Sequence, residues 1–381
     1  MRRRAAIGRG RAEPGGYGAG MGRHGKPDDT VVHGLEPFNA EPPRTALAEC
    51  AVTPVERFYV RNHGPVPALD ADALRLTVGG LVERPLELSL AALRAGLLPL
   101  AEVAATLQCA GNRRAGLAEV RAIPGEAPWG PGATGTAIWR GVRLADLLAA
   151  AGVRAGAAHV ALIGADRSEE TDPPQPFGTS IPLEKAEHPE VLLAWEMNGE
   201  PLPAVHGGPL RAVVPGYIGA RSVKWLQRIE PAAEPHPGYF QAVAYRLLAP
   251  DEEPGPGRGV VLGEVALNAD VLEPADGATV PAGPVRVRGY AFAGGERFVT
   301  RIDVSCDAGA TWRRAELLED LGRWAWRLWQ LDAELGPGEH EILVRAWDSA
   351  AATQPEDPAT VWNPKGYVNN AWGRARIRAT S

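Results

Sequence analysis

A stretch rich in proline, glycine and acidic residues at 249–259 (APDEEPGPGRG) divides this chain into two regions with different patterns. Such a composition is typical of an interdomain linker. Before it, short apolar runs alternate with turn signals, and one segment has helical spacing. After it, residues 285–290 and 341–347 alternate with period two, which is typical of strands. The division predicts an α+β domain over 35–248 and an all-β, immunoglobulin-like sandwich over 260–381.

The first region contains several local signals for secondary structure. Residues 74–82, 159–163 and 209–214 are apolar and β-branched enough to predict strands. Residues 143–151 (RLADLLAAA) have helical spacing, and Gly152 is the expected end of that helix. Alternating βαβ units and glycine-rich nucleotide loops are not found in the sequence, so the mixture indicates an α+β fold with irregular loops.

Composition limits the environment in which the chain works. The 381 residues carry a net charge of −6, which gives no overall basic field for nucleic acid. Cys50, Cys109 and Cys306 are an odd, widely spaced set and do not form a disulfide framework, so we expect a reducing cytoplasm. The arginine-rich start lacks the apolar core of a signal peptide, and no apolar run is long enough to span a membrane. Residues 1–34 are predicted to be a flexible arm.

Residues 107–114 (LQCAGNRR) contain the most distinctive chemistry in the sequence. Cys109 stands in a glycine-containing turn, followed closely by Arg113 and Arg114. A thiolate is a soft metal ligand, and neighbouring arginines lower the pKa of a thiol while holding anions nearby. The alternative interpretation is a buried free cysteine without function, which describes most single cysteines.

Three other clusters contain the residue types of an anion site. They are RNHGP from Arg61, HGGPLR from His206 and GARSVKW from Gly219. Glycine turns let backbone N–H groups approach a phosphate, and Lys, Arg and Ser side chains bind it. Taken alone, a single histidine is more often a core or surface residue, and a run such as GARSVK is more often a solvated turn.

Five segments, taken together with their order and spacing along the chain, resemble the sulfite oxidase family of molybdenum enzymes. They are LQCAGNRR, FYVRNHGPVP, FGTSIPLEKA, VLLAWEMNGEPLP and HGGPLRAVVPGYIGARSVKW. WAWRLWQL and VWNPKGYVNNAW extend the likeness into the second region. EPFNAEPP and RNHGPVP are most similar to the haem-free, plant-type branch. The resemblance implies an α+β cofactor domain followed by an immunoglobulin-like domain that forms a homodimer.

The resemblance also implies roles for individual residues. Cys109 falls at the position of the molybdenum ligand, and the cofactor is one molybdopterin per chain without haem. The residues implied to hold the pterin and its phosphate are His63, Asp166, His206, Arg211, Ser222 and Lys224. Those implied to form the substrate pocket are Arg61, Arg114, Trp129, Tyr245 and Arg374. Tyr239 is an alternative for the tyrosine.

The implied reaction oxidises sulfite to sulfate, with sulfite attacking an oxo group of Mo(VI). We expect electrons to pass to an external acceptor, either oxygen or a cytochrome, because no haem motif is present. Two alternatives stay open. One is nitrate reduction or another oxo transfer on the same scaffold, and the other is a cofactor-binding module without activity.

Overall fold

The computed structural model describes residues 22–381. Residues 1–21 of the predicted arm lie outside the described residues. The prediction of a flexible segment is wrong for 22–34, which contain a 3₁₀ turn at Arg23–Gly25, the buried Lys26 and most of the first strand. No helix among the described residues is long and apolar enough to cross a membrane.

The first region is an α+β domain, as predicted. Its strands, β1 to β14 in chain order, are Val31–Leu35, Phe38–Glu41, Arg75–Val78, Leu86–Ser89, Leu100–Gln108, Thr134–Arg143, His159–Ser168, Gln175–Pro182, Leu192–Met197, Glu200–Pro201, Arg211–Val213, Leu226–Ala232, Arg246–Leu247 and Val260–Val261. Its helices, α1 to α4, are Leu90–Ala92, Arg114–Val120, Leu144–Ala151 and Leu183–Ala186. Short 3₁₀ and π turns connect them.

Two five-stranded sheets form the frame of this domain. One has the order β10-β9-β6-β5, with β11 also paired to β9, and the other has the order β4-β3-β12-β7-β8. The pairs β1-β2 and β13-β14 form two smaller sheets. The predicted linker, 249–259, joins β13 to β14, which pair antiparallel.

The second region is a β-sandwich, also as predicted. Its strands, β15 to β23, are Asn268–Glu273, Thr279–Pro281, Gly283–Phe292, Val299–Ser305, Arg313–Arg314, Glu316–Leu317, Arg327–Leu335, Gly338–Asp348 and Gly373–Thr380. They form a sheet of order β15-β17-β21-β20 and a sheet of order β16-β23-β22-β18-β19. Alternate residues from both sheets, such as Val287, Ile302, Trp329 and Val344, are buried between them.

Local signals in the sequence account for these elements. The helix predicted over 143–151 is α3, and Gly152 ends it with a positive φ of 71°, which glycine adopts without strain. The strand predicted over 74–82 is shorter, because only Arg75–Val78 pairs as β3. The strand predicted at 159–163 is longer, because β7 continues to Ser168 beside β8.

The two domains share a packed core. Tyr290, Trp326 and Tyr367 of the second domain are buried in the same cluster as Leu210 and Tyr245 of the first. The indole of Trp326 stacks on the ring of Tyr290 with centroids 5.6 Å apart, and its backbone N–H donates to Thr106 Oγ1 at 2.7 Å. The second domain is therefore in direct contact with β5, the strand that leads to Cys109.

Candidate cofactor and substrate site

The Cys109 loop, residues 109–114, lies between the end of β5 and the start of α2. The Cys109 N–H donates to the carbonyl of Ala133 at 2.9 Å, which continues the β5-β6 ladder by one residue. The backbone then turns sharply, with Arg113 at a positive φ of 64°, a conformation that is uncommon outside glycine. Such a residue persists where its surroundings hold it, so the loop has one defined shape.

The surroundings that hold this loop come from the second domain. The Val368 N–H donates to the carbonyl of Ala110 at 2.8 Å, and Asn369 Nδ2 donates to the carbonyl of Arg113 at 2.8 Å. Arg113 Nε forms a buried ion pair of 2.9 Å with Asp270. The Cys109 loop is thus built by both domains, although it belongs to the sequence of only one.

Cys109 opens onto the cleft that contains most of the predicted site. This cleft, counted with its solvent-open mouth, holds about 640 Å³, within the usual range for small-molecule sites. Nine of the predicted site residues line it: Arg61, His63, Cys109, Asp166, His206, Arg211, Ser222, Lys224 and Tyr245. The structure therefore brings together four clusters that are far apart in the sequence, with Asn62 of the first and Lys224 of the last separated by 162 positions.

One end of the cleft has excess positive charge. Arg211 donates to the carbonyls of His206, Ala212 and Ser222, and Lys224 donates to the carbonyl of Val205 and to Asn62 Oδ1. These acceptors are neutral. Burial lowers the pKa of Arg211 to about 10 and that of Lys224 well below its ordinary value, so an anion bound here would be stabilised. The phosphate of a molybdopterin fits this end.

The turn at His206 depends on a glycine. Gly207 has φ of 105°, and a Cβ on it would lie 2.8 Å from Cβ of Lys224. The absence of a side chain lets the Lys224 stem pack on this backbone. The spacing His206-Gly207-Gly208 therefore has a physical reason, which is to place His206 and Lys224 side by side.

Asp166 supplies a hydrogen-bond acceptor, whereas Arg211 and Lys224 supply donors. Its Oδ1 atom is buried and has no hydrogen-bond partner among residues 22–381. Burial, opposed by the Lys224 ammonium, raises the pKa of Asp166 to about 6. An unpaired buried carboxylate oxygen in a cleft fits the N–H groups of a pterin ring. The carboxylate, the cations and the thiol together match the donor and acceptor groups of molybdopterin.

Burial changes the expected chemistry of Cys109. Desolvation raises the pKa of its thiol, and the charges of Arg114 and Arg61 and the Gly111 N–H, 3.4 Å from Sγ, only partly oppose it. The arginines lower the pKa of the thiol, as predicted, but burial has the larger and opposite effect, since the side chain is only 6% exposed. A bound metal ion would displace the proton instead.

A buried hydrogen-bonded chain runs from the cleft towards solvent. Glu170 Oε1 lies 2.5 Å from His63 Nδ1, and His63 Nε2 lies 2.7 Å from the Tyr245 hydroxyl. Nδ1 also lies 3.0 Å from a terminal nitrogen of Arg61, which can only donate. The contact to the Glu170 carboxylate, which only accepts, is shorter, so we assign the proton to Nδ1, and Nε2 accepts from Tyr245. Burial raises the pKa of Tyr245, so the hydroxyl stays protonated. Tyr239, the alternative tyrosine, is not among the residues that line the cleft.

Arg114 lies directly behind the Cys109 loop. Its Nε donates to the carbonyl of Lys365 at 2.9 Å, one terminal nitrogen donates to the carbonyl of Ala127, and the other lies 3.4 Å from Glu126. Its guanidinium stands over the ring of Tyr367, 5.3 Å from the centroid. Arg114 does not line the cleft, yet among the charged groups it has the largest effect on the Cys109 thiol.

Arg374 is not in the cleft, contrary to the prediction. It lies on β23, where Ala375 and Ile377 point into the sandwich and Arg374 and Arg376 point out. Its guanidinium lies 3.6 Å from Glu341 and lines a separate cavity between the domains. Strand alternation therefore fixes Arg374 on the outer face of its sheet.

Trp129 is also outside the cleft, so its predicted place in the pocket wall is wrong. Its side chain is fully buried and its ring meets the ring of His33 edge-on, with centroids 4.6 Å apart. The carbonyl of Trp129 accepts from the Ala115 N–H at 3.0 Å. Trp129 therefore packs under the Cys109 loop and supports it.

Several residues that sequence reasoning missed lie at the site. Lys365, within the VWNPKGYVNNAW motif, forms an ion pair with Glu126 and adds a cation beside Arg114. Glu170 accepts from His63, and Lys26 contacts His206. The motif was a signal for Lys365, whereas Glu170 and Lys26 stand in stretches whose sequence indicates only loop.

The buried His63 gives a pH prediction. Burial and the Arg61 charge, opposed by Glu170, lower the pKa of His63 from 6.5 to about 4. The unfolded chain therefore binds this proton at a higher pH than the folded chain, and stability falls as the pH drops from 6.5 towards 4. The expected loss from this residue is up to about 3 kcal/mol.

Urea unfolding of the cofactor-free chain between pH 7 and pH 4 measures this loss. His63→Gln is the matched variant, because it retains a polar side chain but does not titrate in this range. The unfolding free energy of the wild-type chain should fall more steeply than that of His63→Gln. Parallel curves would show that His63 is not held neutral.

Comparisons with known proteins agree with this geometry. Residues 63–240 match the family described as "Oxidoreductase molybdopterin binding domain", and residues 260–380 match the "Mo-co oxidoreductase dimerisation domain". The chain is 44% identical to sulfite oxidase of Gallus gallus, covering 90% of this chain and 76% of that protein. It is 40% identical to sulfite oxidase of Arabidopsis thaliana, covering 91% of this chain and 93% of that protein.

A solved structure has a similar fold. The sulfane dehydrogenase SoxCD of Paracoccus pantotrophus superposes with a TM-score of 0.79 at 26% identity, covering 92% of this chain and 89% of that chain. The predicted order of domains is confirmed, and the predicted family is confirmed by the two curated relatives. The chain belongs to the sulfite oxidase family of molybdopterin oxidoreductases.

Proposed function

We propose that this protein oxidises sulfite to sulfate with a molybdenum cofactor and passes the electrons to an external acceptor. In this reaction sulfite and water give sulfate, two protons and two electrons. The observation that carries the proposal is the meeting of the Cys109 thiol, Arg61 and the Tyr245 hydroxyl in one cleft. Relatives named sulfite oxidase, at 40% and 44% identity over most of the chain, support it.

The cleft residues have separate tasks in this proposal. Cys109 would hold the metal, which supplies oxygen transfer and accepts the electron pair. Asp166 would accept from the pterin ring, while His206, Arg211, Ser222 and Lys224 would hold the phosphate. His63 lines the cleft and is hydrogen-bonded to the Tyr245 hydroxyl, so it would orient the tyrosine as well as contact the cofactor.

Positive charge would attract the substrate anion. Arg61 lines the cleft, and Arg114 and Lys365 stand behind the Cys109 loop with Glu126 between them. Arginine binds oxyanions through paired N–H groups, and a cationic cleft concentrates a small dianion. The Tyr245 hydroxyl has one proton, which it donates to His63 Nε2 in the free cleft and would turn towards a bound oxyanion. Glu170, at the other ring nitrogen of His63, would accept protons that leave the cleft through this histidine.

The activity is tested with protein purified from a host that makes molybdopterin. Sulfite-dependent reduction of ferricyanide is measured, with molybdenum quantified in the same sample. Turnover with about one molybdenum per chain, as one cleft per chain requires, supports the proposal. If the molybdenum-loaded protein does not oxidise sulfite but turns over nitrate, a sulfoxide or a sulfane-sulfur compound, then sulfite is not its substrate. No turnover with any of these compounds would indicate an inactive cofactor-binding module.

Arg114→Gln is expected to raise KM for sulfite by up to about tenfold, because it removes a positive charge that lies behind the Cys109 loop and attracts the anion without lining the cleft. Molybdenum content should stay unchanged, because Cys109 and the phosphate end of the cleft are untouched. The measurement is the KM of the loaded enzyme in the ferricyanide assay. The control is Arg121→Gln, which removes an exposed cation beyond the same helix. An unchanged KM in Arg114→Gln would show that the charge of Arg114 does not contribute to substrate binding.

The assembly and setting are part of the proposal. The match of residues 260–380 to a dimerisation domain supports a homodimer. Oxygen and a cytochrome are both suitable acceptors, and comparing their rates of reduction with the same sulfite-reduced enzyme selects between them. We place the protein in the cytoplasm, which the free state of Cys50, Cys109 and Cys306 supports.

A further inference from the structure

Lys26 is a buried cation that comes from a segment outside the matched cofactor domain. It is 4% exposed, although it precedes the first strand. Its Nζ lies 2.8 Å from the carbonyl of Val55, 2.8 Å from the carbonyl of Phe58 and 2.9 Å from Nε2 of His206. A lysine ammonium has three protons, and these three acceptors use all of them. The carbonyl of Val55 also lies 3.3 Å from Nε2, but it already accepts from Nζ at 2.8 Å, so the shorter Nζ contact makes Nε2 the acceptor when Lys26 is charged. Burial lowers the pKa of Lys26 to about 7, so this arrangement is complete below neutral pH.

This contact decides which nitrogen of His206 carries the proton. Burial and the charges of Lys26, Lys224 and Arg211 lower the pKa of His206 well below its ordinary value, so the ring is neutral. A neutral imidazole has one donor and one acceptor. If Nε2 accepts from Lys26, the proton is on Nδ1, and the ring offers the cleft an N–H instead of a lone pair.

Two hydrogen bonds hold the segment that carries Lys26, one within its backbone and one from the Arg23 side chain to β1. The carbonyl of Lys26 accepts from the Gly22 N–H at 2.7 Å, and Arg23 donates to the carbonyl of Leu35 at 2.8 Å. The ring of Phe58 meets the ring of His206 edge-on, with centroids 5.6 Å apart. The segment from Gly22 to Lys26 is therefore closed on itself and tied to β1, and the ring it contacts has a fixed orientation.

We propose that Lys26 is a positioning residue of the cofactor site, which sets His206 as the Nδ1–H tautomer and adds a cation behind the phosphate end of the cleft. The inference rests on the cofactor-binding part of the proposed function and is independent of sulfite as substrate. An N–H donor and an added cation both favour a phosphate monoester, whereas an imidazole lone pair would repel it.

Cofactor retention tests the proposal on the loaded protein. Lys26→Met keeps the length of the side chain and removes the ammonium. The bound pterin is followed during dialysis by its fluorescence after acid release and oxidation. Loss of a residue that orients a ligand typically costs 10-fold to 100-fold in affinity, so we expect the pterin to leave at least about tenfold faster. Arg228→Met, which removes an exposed cation of β12 that takes no part in the cleft or in the Lys26 segment, should retain the pterin like the wild type.

A double variant separates positioning from a general loss of packing. If Lys26 acts through His206, then Lys26→Met should accelerate pterin loss little or not at all in the His206→Gln background. Equal acceleration in both backgrounds, or wild-type retention in Lys26→Met, would overturn the proposal.

The tautomer is a second readout, which needs neither cofactor nor activity. In the cofactor-free chain with ¹⁵N-labelled histidine, Nε2 of His206 should show the shift of an unprotonated nitrogen, with the signal assigned by its loss in His206→Gln. Lys26→Met should move this signal towards a mixture of tautomers. An unchanged tautomer in Lys26→Met, or a protonated Nε2 in the wild type, would show that Lys26 does not set it.

Discussion

Cys109→Ser is expected to lower kcat for sulfite roughly a thousandfold or more while leaving the fold intact. A serine hydroxyl is a hard donor that stays protonated near neutral pH, so it cannot replace a thiolate towards molybdenum. Even residues that only orient a metal ligand matter by 10-fold to 100-fold, and the loss of the ligand itself exceeds that. The fold should survive because, among residues 22–381, Sγ accepts only one long contact, 3.4 Å from the Gly111 N–H.

The measurement combines kcat, molybdenum content and melting temperature on the same preparation. Cys50→Ser is the matched control, since it makes the same atom exchange at an exposed position. It should be indistinguishable from the wild type in all three quantities. Normal turnover by a molybdenum-loaded Cys109→Ser protein would show that the metal is held by another residue.

Patterns with a short period were enough to predict much of the fold. The period-two segments at 285–290 and 341–347 lie within β17 and β22, where Val285 and Val287 of one strand and Ile342, Val344 and Ala346 of the other are buried in the sandwich. The helix predicted over 143–151 is found at Leu144–Ala151, because its helical spacing of apolar residues and the glycine at 152 both indicate the same segment. These features depend only on neighbouring residues, so they can be derived from the sequence.

Two kinds of prediction are wrong: one follows the family resemblance against the local pattern, and the other depends on burial or on contacts between residues that are distant in the chain. Arg374 was assigned to the pocket by resemblance, although the alternation Arg374-Ala375-Arg376-Ile377-Arg378 already indicates a strand with its arginines on one outer face. The pKa of Cys109 moves in the opposite direction from the one that its arginine neighbours suggest, because burial has the larger effect. Neither burial nor the contact of Lys26 with His206, 180 positions later, leaves a pattern in the sequence.

The buried ion pair between the domains gives the largest stability prediction. Arg113→Met removes the guanidinium that lies 2.9 Å from Asp270 and donates to the carbonyls of Ala371 and Trp372. Asp270 is 4% exposed, so its carboxylate would be left charged and buried. Breaking such a pair by removing one partner costs about 3–5 kcal/mol. Urea unfolding should show this decrease in the free energy of unfolding.

The control is Arg286→Met. It breaks a solvent-exposed ion pair in the second domain, in which Arg286 Nε lies 2.8 Å from Asp332. Surface pairs contribute about 0–1 kcal/mol, so this variant should unfold almost like the wild type. Equal effects of Arg113→Met and Arg286→Met would mean that the interdomain pair adds no more stability than a solvent-exposed one.

Adding Asp270→Asn to Arg113→Met separates the charge from the shape of the loop. The double variant has no unpaired buried carboxylate, so part of the lost stability should return. Arg113→Met should also retain less molybdenum, and this loss should persist in the double variant, because the Cys109 loop still lacks the side chain that ties it to the second domain. If stability and retention recovered together, the buried charge alone would explain the defect, and the guanidinium would not be needed to hold Cys109 in place.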